Sequence, residues 1–416
     1  MKDLMLYPSH LSGTVTPPPS KSLIHRYLLA AALAKGESRI ENVTFSQDIQ
    51  ATLRCIQSLG ACWEKEGDAS LRIWGREEQE TGKWKTLPRM DCGESGSTLR
   101  FFLPVALAVA GGGVFTGQGR LMQRPQEPYS DLFQKKGISW RQEGEQLTVE
   151  GKLEAGTYAL PGDISSQFFT GLLYALSLVE GTSYLVATTP LESFDYLKLT
   201  VDVLKQSGIA VNWQEGEPAT LKISGPGTFH LGDCFVEADW SQAAFWYAAN
   251  FSGGAVDIQG LEANSTQGDK RIAGYYWTLA RPGDVELDVS SCPDLVPPLS
   301  AMAVVRQGTT RLLHAARLRM KESDRLHTVA QAIQAMGGHV EEGADSLTFH
   351  GQKQLPGGGR VDSWNDHRIA MMTAVVASAC CSPVTLTGWE SVKKSYPNFW
   401  KDYQKLGGKM DGVIPG

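Results

Sequence analysis

A predicted helix near the N-terminus begins with a lysine between two serines. The apolar residues that follow are spaced i, i+3, i+4 and i+7 from Ile24, which is typical of an amphipathic helix, and Ser20 is a suitable N-cap. Lys21 then lies in the first turn, where the helix macrodipole disfavours a positive charge unless an anion is bound there. A solvated surface lysine is the alternative for this position. The pattern indicates an anion site only if other segments repeat it.

Further predicted helices begin in the same manner, with hydroxyl, glycine or basic residues. Residues 93–100 precede a predicted helix at 101–110, residues 161–167 precede one at 168–178, and residues 365–368 precede one at 369–379. Gly96 would let backbone N–H groups approach an oxyanion closely, as at other helix N-termini that bind anions. Helix starts of this kind in several places indicate that the protein binds more than one anionic group at once.

A dense charged segment, residues 317–326, leads into another predicted helix. Helical spacing would place Lys321 and Arg325 on one face of it. Glu322 in this segment, and Asp294 in a proline-rich segment, are carboxylates among cations and could serve as general acid and base. A solvated run of charges is the alternative here.

Glycines recur at the ends of predicted helices with a spacing of about 70 residues, each followed by a strand, a charged turn and a second strand. Glycine adopts the left-handed conformation that ends a helix and turns the chain. The glycines stand at positions 60, 137, 208, 337 and 407, and the 129-residue gap holds a degenerate copy near 273–289. Six repeats of helices and strands therefore predict an α/β (α+β) fold.

Three repeats to a domain predict two similar domains. The first covers residues 17–233, and the second combines residues 1–16 with residues 234–416, because the sixth repeat needs a strand from the N-terminus to complete it. The chain would then cross between the domains twice, through two crossover strands.

Composition describes a globular protein of 416 residues, with 42% hydrophobic and 20% charged residues. The net charge of −6 offers no basic surface for nucleic acid, and the longest apolar runs are shorter than the ~20 residues that span a bilayer. No signal-peptide pattern opens the chain, so we expect a cytoplasmic location and no membrane partner. The cysteines and histidines lack metal-ligand spacing, which predicts reduced cysteines and no bound metal.

Together these segments resemble the enolpyruvyl (carboxyvinyl) transferases along almost the whole chain. The most specific motifs are Lys-Glu-Ser-Asp-Arg-Leu at 321–326 and Asn-Asp-His-Arg at 365–368. The other matching segments are residues 19–22 with Arg26, residues 96–100, residues 124–125, residues 165–167 and residues 394–397. The resemblance implies two domains, each of three βαβαββ repeats, joined by two crossovers.

The resemblance is strongest to the member of this family that uses shikimate 3-phosphate. It implies transfer of the enolpyruvyl group of phosphoenolpyruvate to the 5-hydroxyl of shikimate 3-phosphate, with release of phosphate through a tetrahedral intermediate. This reaction belongs to the shikimate pathway of aromatic amino acid biosynthesis, in which the herbicide glyphosate mimics phosphoenolpyruvate. The resemblance implies a monomer whose partners are these two small molecules, without a metal or an organic cofactor.

The resemblance also assigns roles to residues of this chain. The residues implied to bind shikimate 3-phosphate are Lys21, Ser22, Arg26, Ser165, Ser166, Gln167, Ser193, Tyr196, Asp294 and Lys321. The residues implied to bind phosphoenolpyruvate are Lys21, Gly96, Arg124, Gln167, Arg325, Arg368 and Lys394. Arg325 and Arg368 suit its carboxylate, because a guanidinium presents a bidentate fork, whereas lysines are compact charges for its phosphate.

The implied catalytic residues are Asp294, Glu322 and Lys21. Asp294 would take the proton of the 5-hydroxyl. Glu322 and Lys21 would donate protons to the methylene carbon and the leaving phosphate, and which does which stays open. Two alternatives remain: the sister enzyme that acts on UDP-N-acetylglucosamine, and a non-catalytic anion-binding homologue. The first has a reactive cysteine on a loop where residues 117–124 contain none, and the second would have lost catalytic residues that are present here.

Three residues depart from those common in the family: Glu94, Arg317 and Phe101. A carboxylate at position 94 would repel phosphoenolpyruvate unless a base such as Arg100 pairs with it. Affinity for phosphoenolpyruvate and sensitivity to glyphosate therefore stay open.

Overall fold

The fold is assembled from repeated segments of strands and helices, and a computed structural model describes it over residues 3–76, 84–214, 216 and 218–412. The helices are α1 (Lys21–Leu33), α2 (Gln47–Ser58), α3 (Gly96–Ala110), α4 (Glu127–Lys135), α5 (Ser166–Leu176), α6 (Phe194–Gln206), α7 (Trp240–Phe251), α8 (Ile272–Leu279), α9 (Val296–Ala303), α10 (Arg325–Ala335), α11 (His367–Ser378) and α12 (Phe399–Lys405). The strands are β1 (Leu4–Tyr7), β2 (Ser12–Val15), β3 (Glu37–Glu41), β4 (Cys62–Lys65), β5 (Ser70–Trp74), β6 (Arg89–Asp91), β7 (Gly112–Thr116), β8 (Ser139–Glu143), β9 (Gln146–Glu150), β10 (Thr157–Leu160), β11 (Gly181–Ala187), β12 (Val211–Gln214), β13 (Thr220–Gly225), β14 (Cys234–Phe235), β15 (Ala255–Ile258), β16 (Val285–Asp288), β17 (Thr309–Leu313), β18 (His339–Glu342), β19 (Leu347–His350), β20 (Leu355–Gly357), β21 (Arg360–Asp362), β22 (Cys380–Ser382), β23 (Val384–Thr387) and β24 (Lys409–Asp411).

The chain divides into a central unit, Pro19–Val236, and a terminal unit that combines Met1–Pro18 with Glu237–Gly416. Both boundaries fall slightly later than the predicted ends of the segments at residues 16 and 233. The backbone N–H of Asp239 donates to the carbonyl of Pro18, which keeps that proline in the terminal unit. β14 pairs with β3, which keeps residues 234 and 235 in the central unit.

Three four-stranded sheets of the central unit share one topology. In each sheet a first strand runs parallel to a second, and a hairpin adds two antiparallel strands, as in β6-β7-β9-β8 and β10-β11-β13-β12. The sheet β14-β3-β5-β4 takes its first strand from the end of the unit. The predicted βαβαββ repeats are confirmed here, with the first one closed by β14.

The terminal unit repeats this topology in the sheets β16-β17-β19-β18 and β21-β23-β1-β24. β1 pairs antiparallel with both β23 and β24, so the N-terminal strand completes the last repeat, as predicted. The remaining repeat is shorter, because β2 and β15 form a two-stranded parallel sheet and α8 follows. This is the degenerate copy expected in the 129-residue gap.

Glycines end helices at the predicted positions. The φ angles of Gly60, Gly137, Gly208, Gly337 and Gly407 lie between 74° and 94°, and each glycine is the second residue after its helix. This left-handed conformation is accessible to glycine and strained for other residues. The chain therefore turns directly from the helix toward the hairpin.

Each unit has its own apolar core. In the central unit α1, α3 and α5 are buried along nearly their whole length, whereas α2, α4 and α6 are amphipathic. In the terminal unit α7, α9 and α11 are the deeply buried helices. A helix buried in this way must satisfy the N–H groups of its first turn with polar partners. The polar residues at these helix starts therefore have a structural role, as partners of these N–H groups, as well as the predicted chemical role.

The substitution Leu6→Ala should lower the free energy of unfolding by about 2–5 kcal/mol, the range for truncating a buried leucine. Leu6 is fully buried in β1, which has a neighbouring strand on each side. Urea unfolding followed by tryptophan fluorescence measures the change, and Ser12→Ala at an exposed position is the control. Equal stabilities of the Leu6→Ala variant and the wild type would contradict the inner position of β1.

Candidate active site

The first predicted anion site is occupied by a carboxylate of the chain itself. α1 begins at Lys21 with Ser20 at the predicted N-cap position, although the Ser20 side chain makes no capping hydrogen bond. The Lys21 Nζ lies 2.7 Å from Oδ2 of Asp48 in the first turn of α2. This ion pair offsets the unfavourable placement of a lysine at a helix N-terminus. The sequence did not identify Asp48, because only the packing of α2 beside α1 brings the two side chains together.

Arg26 is buried and contacts two residues that, like Arg26 itself, are predicted to bind shikimate 3-phosphate. Its Nη1 donates to the carbonyl of Ser22 at 2.6 Å, Nη2 donates to the carbonyl of Tyr196 at 2.8 Å, and Nε donates to Oγ1 of Thr200 at 2.9 Å. Burial lowers the pKa of Arg26 to about 10, so the guanidinium stays charged at neutral pH. Ser193, with φ at 54°, is the N-cap residue of α6 and lies just before Tyr196.

α3 begins at Gly96, five residues before the predicted start at 101. Ser95 is the cap, and its Oγ accepts a hydrogen bond from the backbone N–H of Thr98 at 3.2 Å. The predicted start at 101 is wrong because this cap allows the helix to form earlier. Arg100 consequently lies one turn inside the helix instead of at its start.

Arg124 lies directly against the start of α3. A Cβ atom built on Gly96 would lie 2.6 Å from Nη1 of Arg124, which is closer than Cβ atoms approach other heavy atoms. Glycine at this position therefore allows the guanidinium to reach the helix start, and two predicted phosphoenolpyruvate ligands come together. Glu94 lies nearby in the sequence, and its Oε2 occupies the space that the absence of a side chain leaves at Gly119.

The start of α5 is tied to α3 by the predicted ligand Gln167. Ser165 caps α5 by accepting from the backbone N–H of Gln167 at 3.3 Å, and the helix begins two residues before the predicted 168. The side chain of Gln167 donates from Nε2 to Oγ of Ser97 at 2.8 Å and accepts from Nη1 of Arg100 at 2.9 Å. Arg100 is buried and was not among the predicted site residues, although an arginine in an apolar helix was a visible signal.

In the terminal unit the carboxylate of Asp294 is surrounded by three cations. Its Oδ1 accepts from Nη1 of Arg325 at 3.0 Å and lies 3.9 Å from Nζ of Lys321, while Oδ2 accepts from Nη2 of Arg368 at 2.9 Å. The side chains of Arg325 and Arg368 are 1% and 4% exposed. Three predicted site residues, Lys321, Arg325 and Arg368, therefore meet at a fourth, Asp294.

These contacts shift the acidity of each group. Burial alone would raise the pKa of Asp294, but Arg368, Lys321 and Arg325 together hold it well below its usual range. Burial lowers the pKa of Lys321 to about 8, with Asp294 opposing that change and Arg325 adding to it. Burial also disfavours the charge of Arg325, yet its carboxylate partners raise its pKa. At pH 7 Asp294 is therefore ionised and its guanidinium partners are charged.

Asp366 is a fully buried carboxylate that holds both arginines. Its Oδ2 accepts from Nε of Arg325 at 2.9 Å and from Oγ of Ser323 at 3.0 Å. Its Oδ1 accepts from the backbone N–H of Arg368 at 2.9 Å and so caps α11, which begins at His367, two residues before the predicted start. The sequence placed Asp366 in a specific motif without assigning it this position between two predicted ligands.

Lys321 and Glu322 precede α10 instead of lying within it. The helix begins at Arg325 with Asp324 as its cap, and the backbone of Lys321 is extended. The prediction that Lys321 and Arg325 share a helical face is therefore wrong, although both side chains reach Asp294. Glu322 Oε2 lies 2.6 Å from Nη2 of Arg325.

Lys394 supports the loop that leads into α11. It is buried at the end of a 3₁₀ helix, Trp389–Lys394, and its Nζ donates to the carbonyl of Asn365 at 2.6 Å. Asn365 has φ at 55°, in the left-handed region that asparagine adopts more readily than most other residues, and this contact helps to fix it. Arg368 follows in the first turn of α11 and also donates to Oγ of Ser241 at 3.0 Å.

The predicted site residues are divided between the two units, and many of them lie at helix starts. Those in the central unit are Lys21, Ser22, Arg26, Gly96, Arg124, Ser165, Ser166, Gln167, Ser193 and Tyr196. Those in the terminal unit are Asp294, Lys321, Glu322, Arg325, Arg368 and Lys394.

The repeated topology and these helix starts define the enolpyruvyl transferase fold. The structure matches an EPSP synthase from Acinetobacter baumannii with a TM-score of 0.80, 23% sequence identity and coverage of 99% of each chain. It matches the enolpyruvyl transferase NikO from Streptomyces tendae with a TM-score of 0.75, 18% identity and coverage of 98% of each chain. At these identities the likeness establishes the fold.

Sequence comparison identifies the family. The family model for EPSP synthase (3-phosphoshikimate 1-carboxyvinyltransferase) matches residues 6–403. The chain is 42% identical to the 3-phosphoshikimate 1-carboxyvinyltransferase of Clostridium kluyveri and 39% identical to that of Clostridioides difficile, and both alignments cover 99% of each chain. The chain therefore belongs to the EPSP synthase family of shikimate-pathway transferases, as its motifs predict.

Two features are absent from the residues that the structure describes. Among them no helix is long and apolar enough to cross a membrane. In the same ranges, no group of three or more histidines, cysteines, aspartates or glutamates is placed to hold a metal ion.

The substitution Asp366→Asn should lower the free energy of unfolding by about 3–5 kcal/mol, because it removes the fully buried carboxylate among the three that neutralise the guanidinium of Arg325. Urea unfolding measures this change. Asp345→Asn at an exposed position should change stability by less than about 0.5 kcal/mol and is the control. A loss for Asp366→Asn no larger than the control's would show that Asp366 does not support the arginines.

Proposed function

We propose that this chain transfers the enolpyruvyl group of phosphoenolpyruvate to the 5-hydroxyl of shikimate 3-phosphate. The 5-oxygen forms a bond to C2 of phosphoenolpyruvate while C3 takes up a proton. The tetrahedral adduct then loses phosphate from C2 and a proton from C3, which restores the double bond. Membership of the EPSP synthase family supports this reaction. The observation that carries the residue roles is the Asp294 carboxylate held among Arg325, Arg368 and Lys321.

The central unit is proposed to bind most of shikimate 3-phosphate. Starts of α1, α5 and α6 supply backbone N–H groups and hydroxyls, which suit a phosphate dianion and a polyhydroxy ring. The proposed ligands there are Lys21, Ser22, Arg26, Ser165, Ser166, Gln167, Ser193 and Tyr196. Asp294 and Lys321 are the proposed ligands from the terminal unit.

Phosphoenolpyruvate is proposed to bind the arginines of the terminal unit through its carboxylate. This proposal is supported by the carboxylates that the two guanidinium groups already contact, Asp294 and Glu322 for Arg325 and Asp294 for Arg368. Its phosphate would bind compact or forked cations. The proposed phosphate ligands are Lys21, Arg124 and Lys394, with Gly96 and Gln167 beside them.

Asp294 is the proposed base for the 5-hydroxyl proton. In the ligand-free protein its low pKa makes it a weak base, because three cations stabilise the ionised form. A substrate carboxylate on Arg325 and Arg368 would share those cations and so raise the pKa of Asp294. The base would gain strength when the second substrate is bound, which is when a proton must be removed.

Glu322 and Lys21 are the proposed proton donors to the methylene carbon and the leaving phosphate. Glu322 is fixed by its contact with Arg325 at 2.6 Å, and Lys21 by its contact with Asp48 at 2.7 Å. Both side chains are therefore oriented before substrate binds, which reduces the cost of reaching the reactive geometry.

Release of inorganic phosphate from phosphoenolpyruvate tests this function directly. We expect release that requires shikimate 3-phosphate and is matched by formation of one enolpyruvyl product. Release with UDP-N-acetylglucosamine in its place would assign the chain to the sister activity. Binding of both proposed substrates without release would identify a non-catalytic homologue. We also expect a cytoplasmic monomer that does not bind nucleic acid, and these stay predictions.

The substitution Glu322→Gln should lower kcat by about 10²-fold or more, the range for losing a general acid or base, while ligand affinity changes by only a few-fold. Steady-state kinetics and calorimetric binding measure the two effects separately. Glu341→Gln, at an exposed position, is the control. Normal turnover of the Glu322→Gln enzyme would remove Glu322 from the proton transfers.

Replacing Arg124 or Lys394 with alanine should weaken binding of phosphoenolpyruvate by about 2–5 kcal/mol, as for other buried charge partners. Affinity for shikimate 3-phosphate should stay near the wild-type value. Calorimetry with each ligand measures both affinities, and Arg120→Ala at an exposed position is the control. Selective loss of shikimate 3-phosphate binding would reverse the assignment of these two residues.

The pKa of Lys321 predicts that activity depends on pH. Since its pKa is about 8 in the free protein, the fraction that carries a charge falls as the pH rises from 7 to 9. The value of kcat/KM for shikimate 3-phosphate should therefore fall through a midpoint near pH 8, and Lys321→Arg should move that midpoint upward because arginine keeps its charge. An identical alkaline limb in both enzymes would show that another group titrates.

A further inference from the structure

Four buried polar side chains form a hydrogen-bonded relay that connects α1 to the start of α3. Nδ1 of His25 lies 2.7 Å from Oγ1 of Thr52 in α2, and that oxygen lies 2.7 Å from Oγ1 of Thr98 in α3. Thr98 in turn donates from Oγ1 to Oγ of Ser95, the cap of α3, at 2.7 Å. All four side chains are at most 1% exposed. This relay runs from α1 through α2 to α3 and ends at the helix start that carries Gly96.

In this relay each side chain donates a hydrogen bond to the next one toward the start of α3. A hydroxyl has one proton to donate, so Thr98, which donates to Ser95, accepts from Thr52. The Thr52 hydroxyl also lies 3.4 Å from the carbonyl oxygen of Asp48, but its 2.7 Å contact with Thr98 is the closer one and takes the proton. Thr52 must then accept from Nδ1 of His25, which makes this nitrogen the protonated one. Nε2 of His25 is buried without a hydrogen-bond partner among the described residues. Burial, with repulsion from Lys21 and Arg26, lowers the pKa of His25 well below its usual value, so the imidazole is neutral.

An ion pair of the proposed ligand Lys21 joins α1 and α2 one turn before the contact between His25 and Thr52. The Lys21–Asp48 ion pair links α1 to α2, and Lys21 and Asp48 each lie four residues before His25 and Thr52. On the other side of α1, Arg26 donates to Oγ1 of Thr200, which lies 2.7 Å from Oγ1 of Thr170 in α5. α1 is therefore linked through threonine pairs to α3 on one side and to α5 on the other.

We propose that His25 is a positioning residue that sets the start of α3 relative to the start of α1 through Thr52, Thr98 and Ser95. Its N–H fixes the direction of the relay, and the relay orients the cap that exposes the N–H groups of Gly96 and Ser97. Since Lys21 and Gly96 are proposed ligands of phosphoenolpyruvate, the inference rests on the proposed function. His25 would not contact either substrate.

The threonines allow a test that separates the hydroxyl from the shape of the side chain. Thr52→Val and Thr98→Val remove only the hydroxyl, whereas Thr52→Ser and Thr98→Ser retain it. We expect kcat/KM for phosphoenolpyruvate to fall roughly 10-fold in each valine variant, because small misplacements of binding groups are costly, and to stay within about 2-fold in each serine variant. The double valine variant should resemble the single ones, because a relay broken once is already broken.

His25→Leu gives a measurement that does not depend on activity. Exchange of the backbone N–H of Thr98, which donates to Ser95, should be roughly 10-fold faster than in the wild type, although the substitution is in another helix. Ser207→Ala removes a different buried hydroxyl of the central unit and is the control, with wild-type exchange at Thr98 and wild-type kcat/KM.

Several outcomes would overturn the inference. These are wild-type kcat/KM in the valine variants, equal losses in the serine and valine variants, multiplied losses in the double variant, or unchanged exchange at Thr98 in His25→Leu. A wild-type protein that releases no phosphate from the two substrates would instead contradict the proposed function. The exchange measurement would then still decide whether His25 positions the start of α3.

Discussion

A guanidinium buried as deeply as that of Arg325 is stable only when carboxylates surround it. Removing a charge from water costs several kcal/mol, and the cost is recovered only through close and well-oriented partners. Asp366, Asp294 and Glu322 contact different nitrogens of this one group at 2.6–3.0 Å. Their positions therefore follow from the need to neutralise Arg325, and these carboxylates in turn place the rest of the cluster.

The same constraint produces the chemistry that we propose. A carboxylate that neutralises an arginine before substrate binds can be displaced in part by a substrate carboxylate afterwards. In this proposal Asp294 then changes from an ion-pair partner into a base. Arg368 strengthens this coupling, because it contacts the side chain and the backbone carbonyl of Asp294.

The repeated fold explains why charged side chains lie near the starts of buried helices. In both units several of the most buried helices begin with a capped first turn, with Ser95 for α3, Ser165 for α5, Asp239 for α7 and Asp366 for α11. N–H groups left at a helix start attract anions, and the chain adds cations at the same places. Arg325 and Arg368 are buried arginines of this kind, in the first turns of α10 and α11 of a protein with a net charge of −6.

Much of this arrangement could be predicted from local sequence signals. Helix-ending glycines are local, because the left-handed conformation depends on one residue, and they predicted the repeats, including the role of β1. Helix starts were predicted less well: α3 begins at Gly96 instead of 101, since the Ser95 cap outweighs the cost of glycine in the first turn. Charged residues four positions apart look the same in the sequence of a helix and of an extended segment, so their spacing wrongly predicts a helix at Lys321.

Partners that come from distant parts of the chain could not be predicted in this way. Asp48 and the threonines of the His25 relay appear as ordinary polar residues until α1, α2 and α3 pack together. Asp366 appeared in a motif, but its contact with Arg325 joins residues 41 positions apart. Such pairs depend on tertiary packing, which the pattern of one helix does not specify.

The ionisation of Asp294 is the most direct test of the account. The ¹³Cγ resonance of Asp294 in ¹³C-aspartate-labelled protein, assigned with Asp294→Asn, reports its charge between pH 4 and pH 8. We predict an ionised carboxylate throughout this range in the free protein, and a titration that moves upward when phosphoenolpyruvate and shikimate 3-phosphate are bound together. A midpoint near the ordinary aspartate value of about 4 in the free protein, or no upward movement with both ligands, would contradict the account.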